Sequence, residues 1–72
     1  MTTLDMIRIA NAGGGLRVSC KGKNALDLIR IANATQQGKG ALILTNTQGM
    51  SVLDMIRIAN AGKGHVIFDD EM

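Results

Sequence analysis

Aromatic residues are all but missing from this chain: Phe68 is the only one. The stacking platforms on which single-stranded bases are held are therefore absent. Cysteine and histidine also occur once each, so no internal disulfide and no zinc-ligand set is available to staple the fold. That matters for a chain of 72 residues, because a chain this small buries only about 60% of its unfolded surface and has a marginal core. The lack of a disulfide framework suits a reducing compartment. No apolar run reaches the ~20 residues of a membrane span. The first fifteen residues carry Asp5, Arg8 and Asn11 where a secretory signal would carry an apolar stretch. A single domain over 1–72, cytoplasmic and without membrane contact, is the expectation. Charge is mild, with eight basic and six acidic residues for a net +2; this permits nucleic acid as a partner without demanding it.

What the chain does have is repetition. Residues 4–13 read LDMIRIANAG, and residues 53–62 repeat them letter for letter. Residues 26–34 read LDLIRIANA, nearly a third copy. Aligning the three Leu-Asp pairs divides the chain into units 2–23, 24–50 and 51–72. Three residues before Asp5, Asp27 and Asp54 stand Thr2, Asn24 and Ser51. All three are N-cap types, and an Asp at the third helical position completes a capping-box pattern and favours the helix dipole. Helices are predicted over 3–12, 25–37 and 52–61, with Gly13 and Gly62 as left-handed terminators.

Each helix is followed by a glycine-rich link and a short β-type run: LRVSC at 16–20, ALILT at 41–45 and HVIF at 65–68. The order α-β-α-β-α-β predicts an α/β fold in which three tandem helix–strand units form a small three-stranded parallel sheet. The alternative is an intertwined or strand-swapped dimer hinged at Gly13-Gly14-Gly15. The unalternating ALIL and VIF runs suit strands covered on both faces, whereas LRVS suits an edge. Helices two and three are expected on one face of the sheet and helix one on the other.

At about 100° per residue, Leu4, Met6, Ile7 and Ala10 share one arc, and Ile9 widens it beyond a half-circle. An ordinary surface helix buries a stripe only a little over 100° wide. This one wants cover on two sides, and three copies in a small chain point to self-association through Leu4, Met6, Ile7, Ile9, Leu53, Met55, Ile56 and Ile58. The identity of copies one and three suggests equivalent parts at the two ends of a pseudo-symmetric assembly. The expected partners are further copies of the chain or another protein.

The polar repeats suggest a second reading. Arg8, Arg30 and Arg57 occupy equivalent positions, as do Asn11, Asn33 and Asn60; such a strip can make bidentate contacts to phosphates or bases. Each Arg also lies three residues after an Asp, which makes an ordinary helix ion pair. In the loop after the first strand, Lys21 and Lys23 converge with a helix N-terminus as an anion site. Cys20, beside Lys21 and ahead of a helix start, is expected to have a lowered thiol pKa. His65 begins the third strand, at the opposite end of a parallel sheet, so no Cys–His pair forms in one chain. The acidic 69–71 end is expected to meet the Lys21 and Lys23 loop of a neighbouring copy. No triad, metal set or nucleotide loop is assembled, so the expectation is a non-enzymatic protein-interaction module without a cofactor, acting as a regulator, an inhibitor or a structural subunit. Nucleic-acid binding is the alternative.

Overall fold

The structure, a computed structural model, describes residues 1–70. Its elements alternate as expected: α1 (Thr3–Asn11), β1 (Leu16–Ser19), α2 (Ala25–Gly38), β2 (Leu42–Thr45), α3 (Val52–Gly62) and β3 (Val66–Phe68). The fold is α/β, built from repeated helix–strand units.

Each helix starts where its cap residue sits. The side chains of Thr2, Asn24 and Ser51 accept from the backbone N–H of Asp5, Asp27 and Asp54 at 3.1, 2.8 and 3.1 Å. A cap of this kind contributes about 1 kcal/mol. In α1 the box is reciprocal, because the Thr2 N–H donates back to Asp5.

β2 lies in the middle of the sheet, with β1 and β3 parallel to it on either side. The register sets Leu16, Leu42 and Val66 in one rung and Val18, Leu44 and Phe68 in another. Both rungs point towards the helices, where Val18, Leu42 and Leu44 join Leu28, Ile31 and Ile58 in the core.

Two expectations about the layers are corrected. First, α1 does not cross to the other face of the sheet. It packs beside α2, and α2 beside α3, so the helices form one layer. The reason is close approach: a side chain at Gly38 would run into the Ala10 carbonyl, and the bare glycine lets α1 nestle against the end of α2. Second, among the described residues no strand is covered on both faces. The unbroken apolar runs hide an alternation in which Leu42 and Leu44 are buried while Ile43 is half-buried and Ile67 is exposed. Arg17, Ile43 and Ile67 share a rung on the open face.

The helix ends bring a further correction. Gly13 is left-handed, with φ 95°, as expected, but α2 and α3 run on through Gly38 and Gly62. The left-handed position falls on Lys39 (φ 64°) and Lys63 (φ 47°). Gly62 is needed inside the helix because a Cβ there would collide with Val66 and touch Ala32. Packing takes the glycine, and lysine bears the backbone strain.

Candidate functional site

The two identical helices are covered on opposite sides. In α1, Ala10 is fully buried and Ile9 is 37% exposed; in α3, Ile58 is fully buried, while its neighbour Ala59 is exposed. Ile7 is half-buried against the core, whereas its twin Ile56 is 51% exposed. Helical geometry explains the pattern. Positions equivalent to Ile7 and Ala10 lie on one flank, and those equivalent to Ile9 and Ala12 lie about 100–160° away on the other. α2, with a neighbour on each side, buries both flanks: Ala32 faces α3 near Gly62, and Ile31 and Ala34 are buried as well. α1 turns its Ile7/Ala10 flank to α2 and leaves Ile9 and Ala12 in water. α3 turns its Ile58/Ala61 flank to α2 and leaves Ile56 and Ala59 in water.

Of the eight apolar positions singled out for association, the structure therefore keeps half outside and half inside. Leu4, Ile9, Leu53 and Ile56 are exposed. Met6, Ile7 and Met55 are half-buried and Ile58 is fully buried. Within the chain the two copies are complementary rather than equivalent.

Leu4, Arg8 and Asn11 follow an i, i+4, i+7 spacing and share the surface of α1 that points away from the sheet. Their equivalents in α2 and α3 are exposed too, so Arg8, Arg30 and Arg57 stand beside Asn11, Asn33 and Asn60 on the outer surface of the helix layer. Arg30 pairs with Asp27 at 3.9 Å and Arg57 with Asp54 at 3.6 Å. Arg8 has no ion pair among the described residues, since its Asp5 closes the capping box instead.

The loops at the C-terminal end of the sheet are knitted together. Asn46 Nδ2 donates to Ser19 Oγ at 2.8 Å, joining the first loop to the second. The Thr47 N–H donates to Asp70 at 2.9 Å, and the Thr47 hydroxyl also binds that carboxylate. These bonds hold the Asp70 carboxyl below the ordinary aspartate range, the Thr47 hydroxyl contributing most. An open cleft of about 650 Å³ lies between this loop pair and the starts of α2 and α3, lined by Cys20, Lys21, Lys23, Asn46, Met50 and Asp54 among others. Lys21 is exposed and Lys23 half-buried, and Asp54 brings negative charge into the same cleft.

Cys20 reverses its expected behaviour. Burial pushes the thiol up, the nearby Asp70 charge adds to this, and Lys23 offsets only part. The sequence placed a lysine beside it but could not show the burial or the distant aspartate. His65 sits at the other end of the sheet, its Nδ1 2.8 Å from the Gly40 carbonyl. Asp69 pairs with Arg17 at 3.6 Å across the open sheet face. Glu71, the third member of the acidic end, lies outside the described residues.

These features define a class by architecture: a short stack of helix–strand units, one helix layer on one parallel sheet. No protein-family model, curated protein or solved structure matches this chain. No helix among the described residues is long and apolar enough to cross a membrane.

Proposed function

We propose that this chain is a small non-enzymatic module that works by protein association, first of all with further copies of itself. One observation carries the reading. Identical helices bury opposite flanks, so each end of the helix layer presents the very apolar surface that the interior of the layer buries. Burying such surface is worth about 25 cal/mol per Å², and a chain with a marginal core gains from any partner that covers it. Regulator, inhibitor or structural subunit are the roles open to a module of this kind, and a reducing compartment such as the cytoplasm suits its lone thiol. The test is absolute mass in solution, by light scattering after size exclusion, across a wide concentration range and two salt levels. Assembly that grows with concentration and ignores salt supports the reading; a 7.6 kDa monomer throughout overturns it.

A second reading, nucleic-acid binding, is favoured by the exposed Arg8, Arg30 and Arg57 standing beside three asparagines on one surface. It requires an affinity for DNA or RNA that falls steeply with salt and is lost when the three arginines are changed together to glutamine. Absence of any salt-sensitive binding excludes it, and binding that survives the triple change excludes the arginine surface as its site.

A further inference from the structure

Resting on the reading of self-association, we propose that copies of this chain dock head to tail. The Ile56/Ala59 flank of α3 and the outer edge of β3 on one copy meet the Ile9/Ala12 flank of α1 and the outer edge of β1 on the next. Both layers then continue from copy to copy.

Three independent features specify a second copy as the occupant. The first is the identity of the helices. The free flank of α3 has the sequence of the α1 flank that already packs on α2, and the free flank of α1 has the sequence of the α3 flank that packs on α2. Each end therefore carries one half of an interface whose two halves both occur inside the chain. A mating of two α1 ends, or of two α3 ends, has no such precedent here.

The second feature is the sheet. Among the described residues β1 and β3 each pair with β2 alone. Leu16 and Cys20 donate their N–H groups to β2, at 3.0 and 2.8 Å, so strand alternation turns the peptide groups of Arg17 and Ser19 outward. On β3, the His65 carbonyl and the Asp69 N–H are the groups bonded to β2, at 2.8 and 2.7 Å, so Val66 and Phe68 face outward. Continuing the existing register opposes Val66 to Leu16 and Phe68 to Val18 of the next copy. The outward Arg17 and Ser19 amides then meet the outward Val66 and Phe68 carbonyls, and the two inward apolar rungs run on unbroken.

The third feature is charge. Arg17 marks the β1 edge and Asp69 follows β3, and within one copy they reach each other only by crossing β2. Across the proposed junction they stand on adjacent strands. Opposite signs at the two edges favour head-to-tail over like-edge pairing. Because the interface joins two different patches, it does not close on itself at the dimer.

The test uses blocked ends. Ile9→Glu blocks one end and Ile56→Glu the other. Wild-type chain is expected to give a ladder of masses rising with concentration, and each variant alone a monomer, with association weakened at least tenfold. An equimolar mixture is expected to restore a one-to-one complex that stops at the dimer, since each variant retains one good end. Circular dichroism confirms folding of each variant, and Ala12→Glu with Ala59→Glu repeats the scheme at two other exposed positions on the same flanks. A wild-type chain that assembles while either single variant still dimerises overturns the head-to-tail geometry and leaves self-association standing. Singly blocked variants that fail to complement one another overturn it too. A wild-type chain that stays monomeric overturns both.

Discussion

Alanine placed at the same letter of the two identical helices should have unequal consequences. Ile58 is fully buried and belongs to the core cluster, so Ile58→Ala removes buried carbon and leaves a cavity, at a cost of about 3–4 kcal/mol. Its twin Ile9 is 37% exposed on a flank with no neighbouring helix. There the truncation opens to solvent rather than enclosing a void, and only part of the side chain was withdrawn from water, so Ile9→Ala should cost about 1 kcal/mol. The difference is about 2–3 kcal/mol, on a total stability that a chain this size holds at roughly 4–11 kcal/mol. Urea unfolding followed by circular dichroism, in dilute solution where association adds nothing, measures both variants against the wild type. Equal costs, or a larger cost at Ile9, would refute the assignment of opposite flanks. Repeating the pair at high concentration should raise the cost at Ile9, the flank that the proposed assembly would cover.

Other perturbations probe the packing that sets these flanks. Ala10→Val should destabilise by about 1–3 kcal/mol by overpacking the contact with α2, while Ala59→Val, exposed at the twin position, should stay within about 0.5 kcal/mol in dilute solution; thermal unfolding compares them. Gly38→Ala drives a methyl into the Ala10 carbonyl and should cost at least about 2 kcal/mol, whereas Gly49→Ala, with open space around it, should be tolerated. Lys39→Gly should stabilise by about 0.5–1 kcal/mol, because relief of left-handed strain exceeds the entropy of the added glycine. The Asp70 carboxyl has a folded pKa below its ordinary 3.8, so its contribution is fully present above 3.8 and is lost as pH falls from there through the lower folded pKa. Melting temperature followed down the acid limb should therefore fall less steeply in Asp70→Asn than in the wild type, and an unchanged slope would count against the Thr47–Asp70 clasp.

Much of the fold was legible because it is local. Thr2, Asn24 and Ser51 announced the three helix starts through hydrogen bonds to residues three positions on. The alternation of helix and strand implied parallel pairing. What could not be read was relational. Nothing within LDMIRIANAG says which flank is covered, since the answer depends on whether the copy stands first or last in the layer. The single helix layer is not legible locally because the Gly38–Ala10 approach that sets it joins residues 28 positions apart. The open sheet face was hidden because Ile43 and Ile67 are as apolar as their buried neighbours, and the composition of a strand does not reveal that half of it faces water. Gly62 reads as a terminator and Gly38 stands just past the predicted end of its helix, yet both are packing residues inside their helices, which moves the left-handed turn onto Lys39 and Lys63. At Cys20, sequence proximity to Lys21 suggested activation, whereas burial and Asp70, fifty residues away, work in the opposite direction.

The central claim is that the chain closes its free flanks against further copies of itself, and methyl and amide NMR at increasing protein concentration tests it most directly. Shifts are predicted at Ile9, Ala12, Ile56 and Ala59 and at the outward edge amides of Arg17, Ser19, Val66 and Phe68, with the signals of Ile31 and Ile58 unmoved. Spectra that do not change with concentration, or changes centred on the outer Leu4, Leu26 and Leu53, would contradict it.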